Sequence, residues 1–207
     1  MNRRVLLLGL CALLLAALGG CMGGLKHPPV EKRHFDLQVK RGEAKPPRAG
    51  GPTLAVRRVM VSPRYDGREM VYRTGPTDFS SDFYNLYFVS PSQMLGQDLR
   101  QWLAQSGVFG HVLDSATLVR PDLTLETNAA VFCGDYSMKP GKAVVEMQFL
   151  LLDERDPDTP VVFSRDYRRE EPLTGGEPRD LVEGLRRAVA GIYGDLENDL
   201  RALPALR

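Results

Sequence analysis

Two alternating runs restrict what this chain can fold into more than anything else in it. In Leu123, Leu125, Thr127, Ala129 and Val131 the odd positions are small or apolar, with Thr124, Glu126 and Asn128 between them. In Val145, Met147, Phe149 and Leu151 the odd positions are apolar again, with Glu146 and Gln148 opposite. A side-chain period of two puts one face of each run in a core and the other in water. The link, residues 134–141, carries Asp135, Lys139 and Pro140, so the pair reads as an antiparallel hairpin. Val161, Phe163 and Tyr167 mark a further strand after the turn at Asp156-Pro157-Asp158.

The apolar faces of these strands need covering, and two stretches of helical period supply it. Residues 179–203 place Leu181, Leu185, Val189, Ile192, Leu196, Leu200 and Leu203 on one stripe. A shorter helix over about 92–106 follows Pro91 and stacks Leu95, Leu99, Trp102 and Leu103, with Gly107 placed to close it. Ahead of it come strands over 34–39, 54–61, 68–73 and 83–89. Within 54–61 the apolar pair Leu54 and Val56 has one parity and Val59 and Val61 the other. One extra residue at Arg57-Arg58, a bulge, keeps both pairs on the core side. Residues 40–52, with Pro46-Pro47 and Gly50-Gly51, read as a mobile loop. The expected architecture is α+β: one domain, a mostly antiparallel sheet and two main helices packed on one face.

The start of the chain belongs to a different kind of physics. Arg3 and Arg4 precede an apolar run from Val5 to Leu18 that is too short to span a bilayer. A short positive region, an apolar core and small residues before a cut form a secretory signal. Leu18-Gly19-Gly20-Cys21 at the cut resembles the lipobox of bacterial lipoproteins, in which the cysteine thiol receives a diacylglyceryl group and the new amino terminus is acylated. On this reading residues 1–20 are removed, Cys21 carries the lipid, 21–31 form a tether containing Pro28-Pro29, and 32–207 form the periplasmic domain. Met22, where an Asp would retain the protein at the inner membrane, points to the periplasmic face of the outer membrane.

Composition excludes several functions. The chain has 207 residues and a net charge of +1; without Arg3 and Arg4 it holds 25 basic against 26 acidic side chains. That is no electrostatic footprint for nucleic acid. Of three cysteines, Cys11 lies in the signal and Cys21 takes the lipid, so Cys133 is alone and reads as a buried small hydrophobe. There is no Gly-x-Ser-x-Gly elbow, no phosphate-binding glycine loop and no His-Glu-x-x-His. His27, His34 and His111 have no His or Cys neighbour at metal-ligand spacing. No enzymatic activity, metal or cofactor is expected beyond the covalent lipid on Cys21.

What remains is a concentration of aromatics: Tyr72, Tyr84, Tyr87 and Phe88, with Trp102. Tyr84 and Phe88 cannot share a strand face with Tyr87, so one set points away from the core. Aromatic residues anchor interfaces. Tyr72, Tyr84, Tyr87 and Phe88 are therefore the candidates for a surface that contacts a partner or lipid.

The order of these features resembles a known family. It is a lipobox, a short Phe-x-Leu strand, the 54–63 strand ending in Pro63, Met70-Val71-Tyr72-Arg73, an aromatic segment, a Pro, and then Leu99-Arg100-Gln101-Trp102-Leu103-Ala104-Gln105-Ser106-Gly107-Val108-Phe109. The chain is similar to the ABC-type transport auxiliary lipoprotein family, whose best-known member type is PqiC. It departs from the family at Tyr87-Phe88-Val89-Ser90-Pro91, where a Trp usually precedes the Pro. The resemblance implies an outer-membrane-anchored accessory to a phospholipid transport system. Its partners there would be an MCE-domain protein and ABC transporter components, with a homo-oligomer as a further arrangement. The same anchor and fold class would also serve an envelope-assembly or regulatory lipoprotein, such as a cell-wall synthase activator or a lipopolysaccharide export component. An apolar-ligand carrier would instead need an enclosed cavity between sheet and helices.

Overall fold

The structure, a computed structural model, describes residues 31–114 and 117–204. In chain order these form β1 (Arg33–Phe35), β2 (Thr53–Val56), β3 (Met60–Val61), β4 (Glu69–Arg73), β5 (Phe79–Tyr87), helix α1 (Pro91–Ala104), β6 (His111–Asp114), β7 (Leu123–Asp135), β8 (Lys142–Asp153), β9 (Val161–Pro172) and helix α2 (Pro178–Ala202). The two alternating runs are the middle of the sheet. β7 and β8 pair antiparallel from Leu123 opposite Asp153 to Asp135 opposite Lys142, and β9 pairs antiparallel with β8.

The other edge of β7 corrects the expectation of a mostly antiparallel sheet. There β2, β3 and β4 lie end to end, all parallel to β7. Beyond them β6 is parallel to β2, β5 is antiparallel to β4, and β1 is parallel to β5. The sheet is therefore mixed. The physical reason is the connection: between β4 and β7 the chain passes through β5, α1 and β6. A crossover through a helix is what lets later strands run in the same direction as earlier ones. Alternation reports which face of a strand is buried and carries no information on the direction of its neighbour.

The bulge expected at Arg57-Arg58 is present. Val56 lies opposite Leu125 and Met60 opposite Asn128, so this edge spends one residue more than β7 does. Leu54, Val56, Val59 and Val61 are all buried as a result. A second bulge, between Ala129 and Val131, was not expected. It puts Val131 opposite Glu146 and gives the core position, opposite Val145, to Phe132. Val131 is accordingly only partly buried and Phe132 is in the core.

Both helices cover the same face. α2 packs on β8 and β9, and α1 on β2, β3 and β6. The stripe from Leu181 to Leu200 is fully buried over Met147, Phe149 and Leu151. The Asp180 carboxylate accepts from the Glu177 N–H at 2.9 Å and so caps the start of α2. Gly107 stands two residues past the cap of α1 with φ 68°, and a Cβ there would meet Lys45 Cβ at 3.0 Å.

That contact reflects how residues 40–52 are held. The expected mobile loop is tied to the domain: Lys45 N–H donates to Gln105 O and Arg48 N–H to Phe109 O, each at 2.9 Å. Just before it, Leu37 and Val39 are buried without joining the sheet. Arg186 of α2 donates to the Leu37 carbonyl, and the Val39 N–H donates to Asp98 of α1 at 2.9 Å. From Lys32 onward the chain is one compact unit.

Asp98 has a measurable consequence. Burial pushes its carboxyl up to about 6. A carboxyl raised in the folded state favours folding when protonated, so its contribution is full below about pH 4 and is lost as pH rises through about 6. Asp98→Asn keeps an acceptor for the Val39 N–H and removes the charge. Urea unfolding should show the variant more stable at pH 7.5 by about 2 kcal/mol, with the gap closing near pH 4. A variant less stable than the parent at both pH values would contradict this account.

Candidate interaction surface

The aromatic segment is built on an irregularity in the β4–β5 pair. Arg73, Tyr72 and Val71 lie opposite Phe79, Ser80 and Ser81, but the next pair is Glu69 with Leu86. Two steps along β4 are matched by five along β5, so residues 82–85 are thrown out of the ladder as a wide bulge. Asp82 organises it. One carboxylate oxygen accepts from the backbone N–H groups of Tyr84 and Asn85, both at 2.9 Å. The other accepts from the Tyr72 hydroxyl at 2.7 Å and from Asn85 Nδ2 at 2.9 Å. Burial opposes the charge of Asp82, yet these four hydrogen bonds outweigh it and hold the carboxyl below its ordinary range. Burial, helped by the bond to Asp82, pushes the Tyr72 phenol well up, so a neutral donor meets an ionised acceptor.

The bulge delivers Phe83 and Tyr84 to solvent. They are 65% and 45% exposed, and their rings meet edge to face at 5.1 Å. β1 runs alongside, with Arg33 opposite Asn85 and His34 opposite Leu86. The Lys32 ammonium sits 4.1 Å over the Phe83 ring, and His34 meets Phe88 edge-on at 6.4 Å. Lys32 and His34 are two apart and so share a side of the chain. Lys32, His34, Phe83, Tyr84 and Phe88 therefore form one patch, with Phe88 65% exposed.

The four residues singled out from sequence separate. Tyr84 and Phe88 lie on this patch. Tyr72 is half-buried beneath it and supports it through Asp82. Tyr87 is a correction: at 1% exposure it packs on Phe132 at 5.7 Å and has no contact surface to offer. Its backbone exchanges hydrogen bonds with Arg68, which fixes it inward. The opposed parity of Tyr87 against Tyr84 and Phe88 is thus real, and its inward member is the tyrosine. Phe83 was missed. The signal was Asp82, since an aspartate that accepts from its own backbone two residues on makes a turn.

Trp102 is interior, with its indole N–H donating to Glu197 at 3.0 Å and its ring edge-on to Tyr193. Cys133 is a free, buried thiol that burial pushes up to about 11, so it stays protonated. Cys21 lies outside the described residues. Among the described residues no group of His, Cys, Asp and Glu is placed to hold a metal ion, and no helix is long and apolar enough to cross a membrane. An open trough of about 720 Å3 lies on the sheet face away from the helices, with Ala55, Met60, Asn128, Gln148 and Leu150 among its walls. The space between sheet and helices is filled by Met147, Phe149, Leu185, Ile192 and Tyr193, all without exposed surface.

Known proteins fit this picture. The crystal structure of protein XCC0632 from Xanthomonas campestris matches with a TM-score of 0.68 at 18% identity, over 80% of this chain and 92% of that one. A second crystal structure, of an uncharacterized protein, matches with a TM-score of 0.65 at 19% identity, over 82% and 99%. At these identities the likeness is one of fold. A search of curated proteins found no match. The family model for the ABC-type transport auxiliary lipoprotein component matches residues 35–196, from β1 to the last third of α2. Mixed sheet, two helices on one face and that match agree: the chain belongs to the ABC-type transport auxiliary lipoprotein family.

Proposed function

We propose that the protein is an accessory lipoprotein of an MCE/ABC-type phospholipid transport system. It is anchored through lipid on Cys21 at the periplasmic face of the outer membrane and serves as a docking and anchoring component. Membership of a transport auxiliary lipoprotein family supports the transport role. The observation that supports the anchoring role is the patch of Phe83, Tyr84 and Phe88, held out by the Asp82 bulge close to Lys32, where the tether enters the domain. Exposed aromatic rings that are fixed by the backbone lose little conformational entropy when they are covered.

The test is an affinity capture of the lipidated protein from its own cell envelope, with bound proteins identified by mass. The expected result is recovery of an MCE-domain protein or its ABC partners. Recovery of a cell-wall synthase or a lipopolysaccharide exporter in their place would remove the transport reading and leave the anchor and the fold.

A further inference from the structure

We propose that the patch of Lys32, His34, Phe83, Tyr84 and Phe88 docks on the lipid bilayer, so that the domain lies against the membrane that anchors it. The inference rests on the reading of Cys21 as the lipidated residue and names the occupant of the surface described above.

Reach is the first argument. Only residues 22–31 separate Cys21 from Lys32. However that segment is arranged, covalent geometry keeps Lys32 within about 40 Å of the lipid. Lys32 is itself a member of the patch, seated over Phe83. The membrane is therefore the one partner covalently tied beside this surface, and a tie of that length gives an effective concentration on the order of millimolar. A weak surface suffices under those conditions.

The chemistry is the second argument. Phe83 and Phe88 present two thirds of their surface to solvent, and Tyr84 adds a ring with a polar tip. Aromatic rings combined with cationic side chains suit the headgroup region, where the apolar body is covered and the polar end stays wet. Lys32 brings a positive charge directly onto the ring cluster. Polybasic and single Lys or Arg contacts near a bilayer are drawn to anionic headgroups. The one carboxylate inside the bulge, Asp82, has both oxygens engaged by hydrogen bonds from Tyr72, Tyr84 and Asn85; its charge offsets part of that attraction, so the exposed rings carry most of the contact.

The architecture is the third argument. Phe83 and Tyr84 are carried outward on a strand bulge, with Phe88 exposed just beyond it. Protein hot spots insert into complementary pockets, whereas a protruding aromatic loop needs only a deformable surface to enter. β9, which carries Val161, is separated from β1 by β5, β4, β7 and β8.

The experiment uses the full lipidated protein in vesicles of phosphatidylethanolamine and phosphatidylglycerol, with and without acyl chains brominated close to the headgroup. Three variants report on depth: Phe83→Trp, Phe88→Trp and, as the control, Val161→Trp, which replaces an exposed residue on β9. Trp102 is buried and common to all, so its emission is subtracted using the unchanged protein. Brominated lipid should quench the indoles at 83 and 88 by about half, the effect of entering the headgroup and acyl boundary, and leave the one at 161 unchanged. Equal quenching, or none, at all three positions would overturn the proposal. Protein that fails to float with the vesicles removes the Cys21 reading and this inference with it. The triple change Phe83→Ser, Tyr84→Ser, Phe88→Ser should still capture the transport partner from the envelope. If the triple variant loses that partner, the patch is a protein interface and the bilayer assignment is wrong.

Discussion

Glu197→Ala is expected to destabilise the domain by about 3–5 kcal/mol, the effect of stripping one partner from a buried ionic cluster. Glu197 is nearly buried on α2 and its two oxygens serve four donors. Arg41 Nε and Nη2 donate at 2.8 and 3.0 Å, Trp102 Nε1 at 3.0 Å, and Arg201 Nη2 at 2.6 Å. These donors come from the 40–52 loop, from α1 and from the next turn of α2, so one carboxylate joins three pieces of the fold. Burial would raise the Glu197 carboxyl, but the hydrogen bonds from Arg41 and Arg201 outweigh it and hold it below its ordinary range. Removing it takes the acceptor from the Trp102 N–H and from Nε and Nη2 of Arg41, whose Nη1 keeps only the Glu43 carbonyl. Total stability for a domain of this kind is about 5–15 kcal/mol, so the loss is large and urea unfolding would register it readily.

Two controls separate this from simple loss of packing. Arg41→Met combined with Glu197→Leu removes both charges and should recover much of the loss, because replacing a whole buried pair is far less costly than breaking one. The second control is pH. A depressed carboxyl contributes stability that is present above the unfolded-state value near 4.3 and is lost as pH falls through the lower folded value. The gap between parent and Glu197→Ala should therefore narrow below pH 4. A gap that stays constant down to pH 3 would mean that the Glu197 charge is not what holds the cluster.

The sequence shows some of this and hides the rest, for reasons that differ residue by residue. The faces of β7 and β8, the stripes of α1 and α2 and the slip at Arg57-Arg58 are legible because apolar and polar residues contrast at every step. The bulge at Ala129–Val131 is not, since Ala129, Ala130 and Val131 are all small or apolar and an inserted residue leaves no trace in the pattern. Parallel pairing of β2, β3 and β4 with β7 is silent because periodicity does not encode direction. The opposed parity of Tyr84 and Phe88 against Tyr87 is visible, but which member turns inward depends on Phe132 and Arg68, contacts that no local pattern states. Glu197 is hidden most deeply. It sits beside the Leu196 and Leu200 stripe, and its main partner, Arg41, is 156 residues away.

Cys21→Ser is expected to move nearly all of the protein from the membrane fraction to the soluble fraction while leaving the domain folded. The fold is unaffected because the unit from Lys32 onward carries its own core of β7, β8, α1 and α2. The change in partition follows from the acyl chains. Each buried methylene contributes about 0.8 kcal/mol, and a single myristoyl chain gives only reversible binding near 10⁴ M⁻¹. Several chains on one residue multiply that constant, so their joint removal abolishes anchoring outright and does not merely weaken it. The patch of Lys32, Phe83, Tyr84 and Phe88 is then left to act alone, which should show as weak, salt-sensitive binding to anionic vesicles. Fractionation with high-salt washing, together with mass measurement of the acylated amino terminus, reads both effects. Retention of Cys21→Ser in the washed membrane fraction, with mass measurement showing residues 1–20 removed, would place the anchor elsewhere. The serine triple variant at 83, 84 and 88 supplies the converse: it should stay membrane-bound through Cys21 yet lose the close contact. On these proposals the lipid sets whether the domain is at the membrane, and the aromatic bulge sets how it lies there.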